Sequence, residues 1–256
     1  MDILNKLVDN KYIQKAAEAI MEDRLSKVNK DLIEFWNSAY VISEEEMEQC
    51  RKDPDSWKEL VPSEKLFHAA ETLGTRKKVL DYGCGMGWAG IVAAKSGCPD
   101  VTAVDVSETG VHFAEEFSKL FGVQEAVHAS LVSPEWLSAV PEGTYDGLFC
   151  SNVLDVVPSV TAKEIIREVA RVVTDDASVV IGLNYYMSPE KAAERGTELV
   201  DGNCVYMNGV LRLVSQSDEE WTEIFAPYFT VEKLDHFAWP GETEETRRLF
   251  FLRKKI

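Results

Sequence analysis

Short apolar runs alternate with helical patterns from about residue 77 onward. Such runs are typical of buried strands, and the apolar positions between them recur at the spacing of amphipathic helices. The pattern predicts strands at 78–81, 101–106, 123–128, 146–151 and 178–183, and helices at 88–95, 109–121 and 161–173. Strands separated by helices form parallel pairs with right-handed crossovers. The predicted fold class is therefore α/β, with a doubly wound, mostly parallel sheet.

The alternation ends after the fifth predicted strand. Residues 184–216 contain Asn208-Gly209 between apolar flanks, which is a strong signal for a hairpin. Ser217 and the acidic residues after it predict the start of another helix. Runs at 229–237 and 248–253 predict two final strands, which should pair antiparallel because no helix separates them. The prediction is a seven-stranded sheet with an inserted hairpin.

The N-terminal part of the chain has a different pattern. Residues 1–75 show helical spacing of apolar positions, interrupted at Asp53-Pro54 and Val61-Pro62. We therefore divide the chain into a helical extension or lid, 1–75, and a core, 76–256, with an insertion at 184–216.

Composition restricts the partners and the location. The formal net charge of −17 repels polyphosphate, so we expect no nucleic-acid partner, although a small anionic substrate stays compatible. No stretch reaches the ~20 apolar residues that a membrane helix needs, and no secretory signal begins the sequence. The five cysteines are scattered, without metal-ligand spacing. We expect a cytoplasmic protein that neither binds a membrane nor carries a metal.

A glycine-rich segment, Val79–Gly87, carries the clearest chemical signal. A strand reaches an acid and then three alternating glycines before a helix, an arrangement that lets a ligand approach the backbone closely. Two interpretations compete. Residues 85–90 fit GxGxxG, and Asp105 follows at the spacing of a dinucleotide-binding acid. However, the strand runs into Gly83 with Asp81 two residues before it, which suits a ligand with a cationic group and no pyrophosphate.

The same segment resembles the (D/E)xGxGxG motif of class I S-adenosylmethionine-dependent methyltransferases. Three later segments, 103–107, 145–154 and 165–173, are similar to further motifs of that family in the same order. The resemblance covers roughly residues 76–183 and implies the seven-stranded Rossmann-like fold of these enzymes. It also implies S-adenosylmethionine as the cofactor.

The resemblance carries a set of cofactor-binding residues onto this sequence: Asp81, Gly83, Cys84, Gly85, Gly87, Asp105, Val106, Ser130, Leu131, Asn152 and Val153. It implies that Asp81 holds the amino group of the methionine moiety and that Asp105 binds the ribose. Val106 would lie against the adenine. The family often has an acid after the third strand, where this chain has Ser130 and Leu131, so adenine binding here would depend on weaker contacts.

Candidates for contact with a methyl acceptor come from three places. Asp155, after the fourth strand, is a candidate for orienting the acceptor or for accepting a proton, and the alternative is that it caps the next helix. Tyr185 and Tyr186 follow the fifth strand, and we expect one of them in the acceptor pocket. Trp36 and Tyr40 share one face of an N-terminal helix and either close over the site or pack on the core.

The leading hypothesis is methyl transfer from S-adenosylmethionine to a small-molecule acceptor by in-line displacement. The alternatives are a nicotinamide-dependent oxidoreductase, supported by the GxGxxG match, and a non-catalytic scaffold that binds the cofactor. A protein acceptor is also compatible with the sequence, whereas the acidic charge disfavours RNA. The sequence does not identify the acceptor or the oligomeric state.

Overall fold

A seven-stranded sheet forms the centre of the molecule in the computed structural model, which describes residues 22–256. The strands of this described part are β1 (Val79–Tyr82), β2 (Val101–Asp105), β3 (Val127–Leu131), β4 (Tyr145–Ser151), β5 (Val173–Leu183), β6 (Cys204–Met207), β7 (Val210–Val214), β8 (Phe229–Phe237) and β9 (Arg247–Lys254). The sheet order is β3-β2-β1-β4-β5-β9-β8. β1 to β5 pair in parallel, and β9 is antiparallel to both of its neighbours. The predicted α/β class, the seven strands and the antiparallel final pair are confirmed.

The hairpin predicted at Asn208-Gly209 is also confirmed. β6 and β7 form a separate two-stranded sheet, and Asn208 and Gly209 both have positive φ, as a tight hairpin turn requires. This hairpin lies in the insertion that follows β5.

Helices cover both faces of the sheet, and further helices come from the N-terminal part of the chain. They are α1 (22–39), α2 (Glu44–Lys52), α3 (Glu64–Thr72), α4 (Trp88–Lys95), α5 (Glu108–Leu120), α6 (Trp136–Ala139), α7 (Ser159–Val172), α8 (Pro189–Glu194) and α9 (Asp218–Phe225). Residues 1–21 of the predicted helical extension lie outside the described residues. Within 22–256, none of the helices is long and apolar enough to cross a membrane.

Side-chain caps fix several helix starts. Ser43 with Glu46, and Ser217 with Glu220, form reciprocal capping boxes at α2 and α9. Ser107 caps α5 by accepting a hydrogen bond from the Gly110 amide. The predicted start of α9 at Ser217 is therefore confirmed.

Several predicted boundaries are wrong, including the start of β5, which begins at Val173 rather than at residue 178. Residues 123–126, predicted as the beginning of the third strand, instead form turns in which the Val123 carbonyl accepts from Ala126 and Val127, so β3 starts at Val127. The helix predicted to begin at residue 161 begins at Ser159, directly after Pro158, whose fixed φ suits a helix entry.

Alternate residues of the central strands face opposite layers of the core. Leu80 and Leu148 belong to an apolar cluster with α7 and α9 on one face. Val79 and Phe149 belong to a cluster with α3, α4 and α5 on the other. Because both faces of these strands are buried, the carboxyl edge of the parallel sheet is left as the place for a ligand.

Candidate functional site

A cavity of about 370 Å³ opens at the carboxyl ends of β1, β2 and β4. Its floor is the loop from β1 to α4, and α1 contributes one wall. Most of the predicted cofactor-binding positions lie on its lining: Asp81, Gly83, Cys84, Gly85, Asp105, Val106, Asn152 and Val153. The fold therefore brings these residues together around one space.

The floor requires glycine at three positions. Gly83, Gly85 and Gly87 have φ of +71°, +51° and +80°, which other residues adopt only with strain. A Cβ atom on Gly87, which is not itself on the lining, would lie 2.9 Å from the Cβ of Ala114. The loop can therefore turn tightly beneath the cavity only with glycines in these places.

Asp81 is a buried acid at the end of β1. It is 3% exposed, and its Oδ2 accepts a hydrogen bond of 2.9 Å from the amide of Gly90 in α4. Burial, with a smaller contribution from the nearby Asp105, raises the pKa of Asp81 to about 7. Gly90, the last glycine of the GxGxxG match, thus serves to bring α4 against this acid.

Asp105 organises the floor from the end of β2. Its Oδ2 accepts from the Gly85 amide and its Oδ1 from the Ser107 amide, both at 2.8 Å. Burial raises the pKa of this carboxyl group, although these hydrogen bonds act in the opposite direction. Each carboxylate oxygen has a second lone pair, so hydroxyl groups of a ligand can still donate to Asp105.

The two aromatic residues predicted as a lid both line the cavity. The rings of Trp36 and Tyr40 stack with their centroids 5.8 Å apart. The Tyr40 hydroxyl lies so close to the glycine loop that a Cβ on Gly85 would be 2.7 Å from it. Asn37, between them, accepts a hydrogen bond of 2.9 Å from the Ser107 hydroxyl. α1 is therefore attached directly to the cavity floor.

Asn152 and Val153 form the wall after β4. Asn152 has a φ of +56°, and its Oδ1 is buried without a hydrogen-bond partner among the described residues. A Cβ on Gly83 would lie 2.2 Å from the Val153 Cγ2 atom, so this valine packs on the glycine loop. An unpaired buried acceptor on a cavity wall is open to a donor from a ligand.

The structure places several other candidates away from the cavity. Ser130 and Leu131 are exposed, and Val132 and Pro134 occupy the wall at that point instead. Both residues lie at the end of β3, as the resemblance implied, but β3 is the edge strand of the sheet, where side chains contact solvent. Their role toward adenine stays a prediction.

Asp155, Tyr185 and Tyr186 also lie outside the cavity lining. Asp155 is fully buried, accepts a 2.6 Å hydrogen bond from the Asn184 amide, and does not cap α7, whose N-cap is Pro158. Tyr185 packs on the cluster beneath the inserted hairpin, and Tyr186 is 39% exposed. The path of the chain after β5 carries both tyrosines toward the insertion.

Trp239, in the loop between β8 and β9, lines the cavity although sequence analysis did not select it. The Arg247 guanidinium lies 4.0 Å from the centre of its ring, and Glu242 pairs with that arginine at 2.7 Å. The only local signal was a tryptophan followed by a Pro-Gly turn. Its place on the wall depends on strand pairing, which a local pattern does not specify.

These features define a site for a ligand that carries both hydroxyl and cationic groups. Two buried carboxylates at adjacent strand ends, a glycine floor and an unpaired amide oxygen fit a nucleoside with an amino-acid side arm. The arrangement fits S-adenosylmethionine, because Asp105 can accept from ribose hydroxyls and Asp81 from an ammonium group.

Comparisons with known proteins agree with this class of site. Residues 79–176 match the family described as "Methyltransferase domain". The segment from β1 into β5 is thus similar to methyltransferase domains, and S-adenosylmethionine as the cofactor agrees with the geometry of the site. The antiparallel β9 between β5 and β8 also differs from the all-parallel dinucleotide-binding order, which argues against the oxidoreductase alternative.

A ribosomal protein L11 methyltransferase from Thermotoga petrophila is 33% identical over 140 residues, covering 53% of this chain and 49% of that protein. The chain thus spans about half the length of the curated relatives it matches.

Two solved structures share the fold. An S-adenosylmethionine-dependent methyltransferase from Mesorhizobium loti has a TM-score of 0.56 at 17% identity, covering 78% of this chain and 96% of that one. The N-methyltransferase NodS from Bradyrhizobium japonicum, in complex with S-adenosylhomocysteine, has a TM-score of 0.55 at 15% identity, covering 75% and 85%.

Proposed function

We propose that this protein transfers a methyl group from S-adenosylmethionine to a small-molecule acceptor bound beneath α1. The observation that carries the proposal is the pair of buried carboxylates, Asp81 and Asp105, that face one cavity at the ends of β1 and β2. Burying two acids without a cationic partner is costly, so their presence favours a ligand that supplies the missing positive charge and donors.

Each part of the cavity has a role in this proposal. Asp81 holds the amino group of the cofactor, Asp105 binds the ribose hydroxyls, and Val106 packs against the adenine. Asn152 and Val153 lie toward the methyl end. When bound, S-adenosylmethionine supplies a methyl group that its sulfonium already activates. The remaining task of the chain is to orient the acceptor and exclude water, for which Trp36 and Tyr40 are well placed.

The enclosed position of the site supports a small acceptor. α1 covers the cavity, and Tyr40 and Asn37 attach it to the floor. A side chain of a folded protein would have to pass beneath this helix. A protein acceptor is the second candidate because the curated relatives are named for methylation of a ribosomal protein.

Calorimetric titration with S-adenosylmethionine, S-adenosylhomocysteine and NAD tests the cofactor. We expect micromolar binding of the first two, no binding of NAD, and loss of binding in Asp105→Ala. Asp176→Ala, an exposed acid on β5, serves as the matched control. Binding of NAD alone would replace the proposal with the oxidoreductase.

Incubation with radiolabelled S-adenosylmethionine separates the two acceptor classes and the non-catalytic alternative. We expect label in extracted small molecules and none in purified ribosomal protein L11. Transfer to that protein would establish the second candidate, and tight binding without any transfer would support a scaffold.

A further inference from the structure

Apart from Tyr40, whose hydroxyl lies over the glycine loop, the acceptor side of the cavity wall has no ionisable side chain among residues 22–256. The residues there come from α1, the α3 region, the segment after β4, α7 and the β8–β9 loop. Examples are Ile33, Trp36, Leu60, Val157, Thr161 and Trp239. Their polar groups are hydroxyls, amides and indole nitrogens, which neither carry a charge nor titrate near neutral pH.

The ionisable groups that do line the cavity are all close to the cofactor loop. They are Tyr40, Asp81, Tyr82, Cys84 and Asp105. Burial raises the pKa values of Tyr40, Tyr82 and Cys84 above their ordinary ranges, so all three stay protonated at neutral pH. The two carboxylates face the cofactor in the proposed function. None of the five is therefore available to take a proton from an acceptor.

The histidines do not supply a base either. His68, His112 and His128 are exposed on the outside of the molecule, and His236 contacts Asp218 at 3.0 Å. None of the four lines the cavity. An acceptor that must lose a proton during the reaction would therefore find no group to receive it among the described residues that line the cavity.

The charge of the site also restricts the acceptor. Two carboxylates oppose the single net positive charge of S-adenosylmethionine, so the loaded cavity stays negative and repels an anion. A protonated amine has no free lone pair for the attack, and the described residues that line the cavity include no base that could remove its proton. An uncharged molecule avoids both obstacles, and the aromatic and aliphatic wall favours an apolar body.

We infer that the acceptor is an uncharged, mainly apolar molecule that attacks through a free lone pair on nitrogen or sulfur, without a protein base. The inference rests on the proposed function. In the reaction the lone pair forms the new bond to the methyl carbon while the carbon–sulfur bond of the sulfonium breaks and its electron pair stays on sulfur. The products are a methylated cation and neutral S-adenosylhomocysteine, and no proton moves. The ring faces of Trp36 and Trp239 suit the new cation.

Compounds of similar size but different chemistry test the inference with the full-length enzyme. Quinoline offers a neutral nitrogen and thioanisole a neutral sulfur. Naphthol must lose a proton, and a quinoline carboxylate with its acid group remote from the nitrogen adds a negative charge. We expect methylated quinoline or thioanisole by mass spectrometry, with kcat/KM at least about tenfold above that for naphthol and the carboxylate.

A charge placed on the wall provides the second test. Thr161 is half-buried on the first turn of α7 and lines the cavity. We expect Thr161→Lys to raise kcat/KM for the quinoline carboxylate by about tenfold relative to quinoline, by pairing with the anion. Thr161→Val, which changes polarity without adding charge, should leave the ratio unchanged.

Failure of the proposed function and failure of the inference about the acceptor give different results. Absence of S-adenosylmethionine binding in the titration above would remove the proposed function itself. Cofactor binding with faster methylation of naphthol or the carboxylate would overturn only the inference about the acceptor. Cofactor binding without methylation of quinoline or thioanisole would overturn it as well.

Discussion

Asp81 shows how a single residue can favour ligand binding while it lowers the stability of the ligand-free protein. Asp81 is 3% exposed, and its carboxyl group accepts a hydrogen bond from one amide of α4. Burial raises the pKa of this group to about 7. Below that pH the group is neutral in the empty protein, but a cationic ligand requires its charged form. Cofactor affinity and protein stability should therefore change with pH in opposite directions.

We expect S-adenosylmethionine to bind roughly tenfold more tightly at about pH 7.5 than at pH 6, because Asp81 must ionise first. Binding near pH 6 should release a proton, which calorimetry in buffers of different ionisation enthalpy measures. Asp81→Asn should bind weakly at both pH values. An affinity that is independent of pH in the wild type would contradict the assignment of Asp81 to the amino group.

The same residue predicts a gain in stability. The folded-state pKa of Asp81 lies above its unfolded value of 3.8, so its ionisation destabilises the folded protein as pH rises from about 4 to 7. Asp81→Asn should therefore raise the free energy of unfolding of the ligand-free protein. We expect its advantage over the wild type to grow by ~2 kcal/mol between about pH 5 and pH 8 in urea unfolding. A constant or shrinking difference would show that the carboxyl group is not strained by burial.

At the scale of elements, a column of stacked side chains connects the inserted hairpin with the cavity floor. The Arg212 guanidinium on β7 lies 3.6 Å from the centre of the Phe35 ring and 5.3 Å from that of Trp36. Trp36 stacks on Tyr40, which lies over the glycine loop. The inserted hairpin thus packs against α1, so the insertion and the N-terminal helical extension contribute to the same wall of the cavity.

This column predicts a role for Arg212 in holding the cavity closed. Arg212→Gln removes the cation from the two rings, and we expect faster release of S-adenosylhomocysteine by roughly threefold to tenfold. Stopped-flow tryptophan fluorescence measures this rate. Arg195→Gln is the matched control, because Arg195 lies in the same insertion but its guanidinium is over the Tyr185 ring, away from Phe35 and Trp36. Arg212→Lys should restore part of the effect, and equal release rates in all three variants would remove the role.

Elements were predictable from the sequence where one local signal was sufficient. Apolar runs located β1, β2 and β4, and Asn208-Gly209 located the hairpin. β3 was placed too early because Val123 is apolar yet closes a turn after α5. Positions fixed by distant parts of the chain were not predictable. Trp239 reaches the cavity through pairing of β8 with β9, and Tyr185 leaves it because of the insertion.

The same contrast applies to the site. Asp81, Asp105 and the glycines were identifiable because their spacing within the β1–α4–β2 unit already sets their geometry. Asp155 was not, since its carboxyl group points to the Asn184 amide on another strand end rather than into the cavity. Sequence therefore predicted the cofactor half of the site better than the acceptor half, which several separate elements build.

At the scale of the whole molecule, the distribution of charge determines which large partners are possible. The chain has a formal net charge of −17, and its densest basic segment is the β9 strand. Arg247 and Arg248 in that strand are 7% and 1% exposed. Arg253 pairs with Glu232, and Lys254 with Asp175. These cations are thus buried or neutralised, and β9 offers phosphates no basic surface.

We therefore expect no binding of RNA even where electrostatic attraction is strongest. A fluorescein-labelled single-stranded RNA, titrated with the protein at about 50 mM salt, should show no saturable change in anisotropy at tens of micromolar protein. A basic RNA-binding domain of similar size serves as the positive control. Micromolar binding that weakens steeply with added salt would reveal a phosphate-binding surface elsewhere in the chain. It would also make a nucleic-acid acceptor the first alternative to the apolar small molecule that the cavity favours.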